Sequence, residues 1–190
     1  MVLPVVVYGH PVLRKVAKDI DPDYENLDQV VFDMFETMYD SDGIGLAAPQ
    51  VGKSIRLFVI DASPLEDEEP EMKDFKKAFI NPRIVEKSGD VSAFNEGCLS
   101  IPNLREEVVR EPKINITYYD EEFNFYEEEY DGTLSRIIQH EYDHLEGIMF
   151  TDLVSPLKRR LIKGKLMAIS KGKFEASYKT RLPNNKILLP

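Results

Sequence analysis

The stretch "QHEYDHLEG", residues 139–147, sets His140 and His144 four positions apart with Glu141 directly after the first. On a helix both imidazoles project from one face and can grip one metal ion. A metal of the zinc or iron class takes thiolate, imidazole or carboxylate, so a third such ligand is needed. His10, in "YGHPVL", stands beside a proline and reads as a surface or turn residue. Cys98, the single cysteine, sits in "NEGCLSIP", where Gly97 lets backbone approach closely and Pro102 ends the segment. The commonest fate of a lone cysteine is that of a small buried hydrophobe. This Gly- and Pro-bounded loop points instead to a ligand.

A Cys–His–His set leaves one tetrahedral position open, the mark of a catalytic site, whereas structural zinc sites are closed by four protein ligands. An open position is where water is activated for attack near neutral pH. Glu141 would lean over the ion without ligating it and take the water's proton. Its plainer alternative is a helix-surface glutamate paired with a basic side chain. A third stretch, "GIGLAAPQVG" (43–52), offers a small-residue loop against which another backbone can lie. Gln50 closes it with an amide able to donate to a developing oxyanion. Taken alone, it reads as a helix-to-strand connection.

These residues need elements to hold them. Leu27, Val30, Val31, Met34, Phe35 and Met38 recur at spacings of three and four and predict an amphipathic helix, with Gly43 supplying the positive φ past its end. "IRLFVID" (55–61) predicts a buried strand. The acidic, proline-interrupted "ASPLEDEEPEMKDF" predicts a surface excursion over 62–74. "KAFINPRIVEKSG" predicts two short strands split at Pro82, and "INITYYDEEFNFYEEEY" a hairpin turning near Asp120–Glu122. Leu134, Ile137, Ile138, Leu145 and Ile148 place an apolar stripe beside the two histidines, with Gly147 as the stop. Residues 157–171 predict a basic amphipathic helix whose apolar side is Leu157, Leu161, Ile162, Leu166 and Ile169. The final "RLPNNKILLP" predicts nothing definite. Strands without regular βαβ alternation argue for an α+β domain.

The chain of 190 residues, 43% hydrophobic, is long enough for one cored domain. One cysteine excludes an intramolecular disulfide, and the start has neither the charged nor the apolar region of a signal peptide. No run is long enough to span a membrane, so a cytoplasmic protein is expected. The net charge of −10 is unevenly spread: residues 156–190 hold ten Lys or Arg against Glu175 alone, leaving −19 on residues 1–155. The acidic body counts against DNA and any broad nucleic-acid surface, while the tail can bind nucleic acid locally or be a solvated helix face.

Together, GIGLAAPQ (43–50), EGCLSIP (96–102) and QHEYDHLEG (139–147) resemble, in order, the three signature stretches of the peptide deformylases. The resemblance covers most of residues 1–155, taken as the catalytic domain, with 156–190 a basic tail, helical at its start and packed on it. It implies an α+β fold, mixed and antiparallel sheets around the helix bearing the histidines. It implies a hydrolase of protein biosynthesis that removes the N-formyl group from the initiator methionine of nascent chains, releasing formate. The implied cofactor is one divalent ion, natively ferrous iron, with zinc, nickel or cobalt as substitutes. Cys98, His140 and His144 would be its ligands and Glu141 the acid–base group. Gln50 and the Leu99 N–H would hold the oxyanion, with Gly45 beside them. Ile44 and Gly97 would pair with the substrate main chain, and Glu96 with Arg110 would brace the cysteine loop. Ile137 would wall the methionine side-chain pocket, and Arg136, too polar for its floor, would snorkel to the rim. In some bacterial members a C-terminal helix docks near the ribosomal exit, a role open to the basic tail.

Three rival readings stand at this level, one of them a dedicated RNA-binding protein using the basic tail, against which the acidity of residues 1–155 counts. A zincin-type metalloprotease shares His-Glu-x-x-His, but no histidine follows His144 and the other two stretches go unexplained. A non-catalytic metal-stabilised module predicts damage at Gln50, Cys98 or Glu141, and all three are intact.

Overall fold

The computed structural model describes residues 1–190. In chain order it contains β1 (Val5–Val6), α1 (Leu27–Asp40), β2 (Gly45–Ala47), β3 (Leu57–Asp61), β4 (Lys76–Ser88), β5 (Ser92–Cys98), β6 (Ile101–Arg110), β7 (Lys113–Tyr119), β8 (Phe125–Tyr130), α2 (Gly132–Leu145), α3 (Pro156–Ser170), β9 (Thr180–Arg181) and β10 (Ile187–Leu188). Five antiparallel strands make the main sheet in the order β2-β3-β4-β7-β8. β5 and β6 form a separate antiparallel hairpin. A small mixed sheet joins β1 in parallel to β9, which pairs antiparallel with β10. The fold is α+β, as the resemblance implied. No helix is long and apolar enough to cross a membrane.

Strand β3 explains how the two main helices are placed. Its run Leu57-Phe58-Val59-Ile60 is wholly buried because both faces are covered. Leu57 and Val59 pack with Val30, Val31, Met34 and Met38 of α1, while Phe58 and Ile60 pack with Ile138 and Leu145 of α2. Alternation along one strand thus sends successive side chains to opposite helices. Each of these apolar side chains contributes roughly 1.5–3 kcal/mol on burial. A third cluster joins Ile162, Leu166 and Ile169 of α3 to Val6, Ile101, Val108, Phe150 and Leu182.

Several local expectations are corrected. The positive φ after α1 belongs to Asp42 (53°), one residue before Gly43, whose N–H bonds the Met38 carbonyl. Pro82 does not split β4; the strand runs on through a register shift between Ile80 and Arg83, which absorbs the missing donor. Pro102 does not end the cysteine segment but lies within β6. Leu157 and Leu161 are exposed, so α3 buries a narrower stripe than its sequence suggests. The terminal "RLPNNKILLP" supplies β10 and part of β9. His10 takes the turn role expected of it, accepting from the Val12 N–H through Nδ1 and meeting Asn185 through Nε2.

Candidate active site

Helix α2 presents His140 and His144 one turn apart, with ring centroids 5.2 Å from each other. Cys98 arrives as the last residue of β5, where the hairpin turns through Leu99 and Ser100 and resumes at Ile101. Its Sγ lies 3.3 Å from His144 Nε2, and one donor atom from each of the three residues falls within 4.8 Å of the others. One thiolate and two imidazoles in that space suit a zinc- or iron-class ion. The His140 ring is already oriented for ligation, since Nδ1 meets Glu96 Oε2 at 3.0 Å and leaves Nε2 to the site.

Behind Glu96 runs a buried ionic chain. Arg110 reaches Glu96 at 2.6 and 3.0 Å and Asp143 at 2.8 Å. Burial alone would raise the Glu96 carboxyl, but its hydrogen bonds from His140 and Arg110 hold it down at about 2. Burial would lower His140; hydrogen bonds to Cys98 and Glu96 override it and raise that imidazole well above its ordinary value. Burial, with the neighbouring cationic groups, keeps His144 well below its own, the neutral form a ligand requires. Asp143 escaped the sequence reading, although it stands on the same helical turn as His140 and His144 and offered a carboxylate to Arg110.

Glu141 is buried, and its Oε2 has no hydrogen-bond partner. Burial pushes its carboxyl up to about 7, the partner-free environment prevailing over the pull of His140. Gly45 of β2 lies directly against it: a Cβ there would come within 2.6 Å of Glu141 Oε1. Gln50 stands in a short 3-10 turn after β2. Its Oε1 accepts from the Ala47 N–H at 2.8 Å, which turns Nε2 towards Ser100 Oγ (3.3 Å) and Cys98 Sγ (3.5 Å).

These groups open on a cleft of about 810 Å³ lined by Ile44, Gly45, Gln50, Gly97, Cys98, Leu99, Ile137, His140 and Glu141 among others. Arg136 also lines it but does not snorkel outward. It is buried, with Nη2 on the Ser92 carbonyl (2.7 Å) and hydroxyl (2.6 Å) and its guanidinium over the Phe94 ring. The hairpin supplies a polar carbonyl and an aromatic face, so the cation can stay inside. Of the residues expected at the site, only His144 and Arg110 do not line the cleft; His144 Nε2 stands 3.3 Å from Cys98 Sγ.

The polypeptide deformylase family model matches residues 2–160 of the chain. This chain belongs to the peptide deformylase family. The peptide deformylase of Christiangramia forsetii is 53% identical, the match covering 98% of each chain; that of Salinibacter ruber is 46% identical over 94% of this chain and 93% of its own. Among solved structures, a peptide deformylase from Legionella pneumophila superposes with a TM-score of 0.79 at 37% identity, covering 91% of this chain and 98% of the other. The deformylase is a metal-dependent amide hydrolase that removes the N-formyl group from the initiator methionine of polypeptides. The zincin reading falls with that membership.

Proposed function

We propose that the cleft performs deformylation with Cys98, His140 and His144 as ligands of one ferrous ion, for which zinc, nickel or cobalt can substitute. A divalent ion held there lowers the pKa of a bound water and draws charge from a carbonyl oxygen. The observation that carries the reading is the buried, partnerless Glu141 carboxylate facing Gly45 beside the three ligands. Glu141 takes the proton of the attacking water and returns it to the departing amine, so that water adds to the formyl carbon, the C–N bond breaks, and formate leaves. The charge developing on the formyl oxygen is met by Gln50 Nε2 and the Leu99 N–H. Gln50 needs no reorganisation, its carbonyl end being already fixed on Ala47.

The substrate enters extended between β2, an edge strand of the main sheet, and β5 of the separate hairpin, along Ile44 and Gly97. Its methionine side chain lies against Ile137 and the aliphatic part of Arg136. Formate release from formyl-Met-Ala-Ser, beside an acetyl-Met peptide and Glu141→Ala, tests the reading. Rapid release restricted to the formyl peptide and lost in the variant is expected; undiminished release by the variant overturns the role of Glu141. Metal analysis of protein purified without oxygen tests the ion.

The same reading puts the enzyme in the cytoplasm, with residues 1–155 as catalytic body and 156–190 packed onto it. The exposed face of α3, with Lys158, Arg159, Arg160, Lys163 and Lys165, is read as a contact for ribosomal RNA. Replacing Arg160, Lys163 and Lys165 by Glu is expected to abolish co-sedimentation with ribosomes while leaving peptide deformylation intact. Unchanged co-sedimentation would remove this part of the reading.

A further inference from the structure

The turn that carries the ligand cysteine is anchored by the two ends of the chain. Its two residues, Leu99 and Ser100, lie between the paired Cys98 and Ile101. The Ser100 carbonyl accepts from the Tyr8 N–H at 2.8 Å, two residues past β1, and the Leu99 carbonyl accepts from the Tyr178 hydroxyl at 2.7 Å, two residues before β9. Those two anchors are themselves joined, since β1 and β9 pair in parallel, Val5 against Thr180. The segment before Tyr178 is held to the hairpin as well, by Asn103 Nδ2 on the Glu175 carbonyl at 2.8 Å. Tyr178 is buried, lines the cleft, and lies beyond residue 160, where the family match ends.

We propose that Tyr178 is a positioning residue for deformylation: its hydroxyl, by holding the Leu99 carbonyl, fixes the Leu99 main chain so that its N–H points at the formyl oxygen. The proposal rests on the assignment of the Leu99 N–H as a donor to that oxygen. A main-chain donor cannot be aimed by a rotamer, so its direction depends on what holds the neighbouring peptide. The Leu99 side chain is half-buried and packs against the apolar cluster of α1, β2 and β3. With the Leu99 carbonyl and the Ser100 carbonyl both held, the main chain around the N–H is constrained before substrate arrives.

Tyr178→Phe keeps the ring and removes the donor. In the metal-loaded enzyme, kcat for formyl-Met-Ala-Ser is expected to fall about fivefold with KM within about twofold. Amide exchange in peptides spanning 98–101 is expected to quicken by about threefold or more, with the rest of the chain unchanged. Parental kcat overturns the proposal. So does a kcat loss without local exchange change, which would make Tyr178 a direct substrate contact, and so does exchange quickened throughout, which would make it a general packing residue. A parent enzyme that releases no formate would instead sink the catalytic reading itself, an outcome visible before any variant is made.

Discussion

Gly45 and Glu141 are in such close contact that the smallest side chain at position 45 would collide with the carboxylate, its Cβ 2.6 Å from Oε1 and 2.8 Å from Cδ. The absence of a Cβ on β2 is what lets an acid on α2 reach the middle of the cleft. Gly45→Ala must therefore push Glu141 aside. A displacement of about 1 Å costs on the order of 10²-fold in rate. Steady-state kinetics should show that loss in kcat, with the metal content of the variant unchanged.

Glu141 is costly to the fold because it is useful to the reaction. In the metal-free protein its carboxyl is raised from 4.5 to about 7, so the native state binds its proton more tightly than the unfolded state does. Below pH 4.5 both states are protonated and the group contributes nothing; between 4.5 and about 7 it increasingly destabilises the fold. Glu141→Gln should thus match the parent in thermal unfolding at low pH and exceed it near pH 8, by on the order of 3 kcal/mol. Formate release should meanwhile fall about 10²–10⁴-fold.

The Glu96–Arg110–Asp143 chain predicts a different pattern. Arg110→Met strands two buried carboxylates and should destabilise the protein by about 3–5 kcal/mol. Glu96→Gln weakens the partner that orients His140, and metal affinity should drop about 10–100-fold in a chelator competition. A Glu96→Gln variant that holds metal as tightly as the parent would deny the orienting role.

Away from the cleft, Lys77 Nζ donates to Glu128 (2.8 and 3.0 Å), Tyr118 (3.0 Å) and Tyr130 (3.1 Å), tying β4, β7 and β8 together. Burial would raise the Glu128 carboxyl, but the hydrogen bonds it accepts from Lys77 and from the Tyr118 and Tyr130 hydroxyls lower it below its ordinary value. Its contribution is therefore present above the unfolded carboxylate pKa and lost as pH falls through the folded one. Because both charges are about one-third exposed, Glu128→Gln should cost only about 1 kcal/mol at pH 7. That deficit should vanish in acid melts.

The parts of the site that follow a short period were legible in the sequence. His140, Glu141 and His144 share one helix, and α1, β3 and the β7–β8 hairpin follow from runs of apolar spacing. The β5–β6 hairpin was not, because Ser92–Asn95 are exposed and β5 carries no alternating apolar signal to set against its own Gly97 and the Pro102 of β6. Arg136 looked too polar for the interior because its acceptor, Ser92, and its aromatic partner, Phe94, lie more than forty residues earlier. Tyr178 has no local pattern at all. Its importance comes only from a contact 79 residues away in the chain.

The parallel pairing of β1 with β9 also sets an order in time. Synthesis runs from the N-terminus, so Val5 and Val6 are made long before their strand partner, Thr180–Arg181. Until then the Leu99 carbonyl has no Tyr178 to hold it. The cleft is therefore finished only after Thr180–Arg181 has been made and has paired with β1.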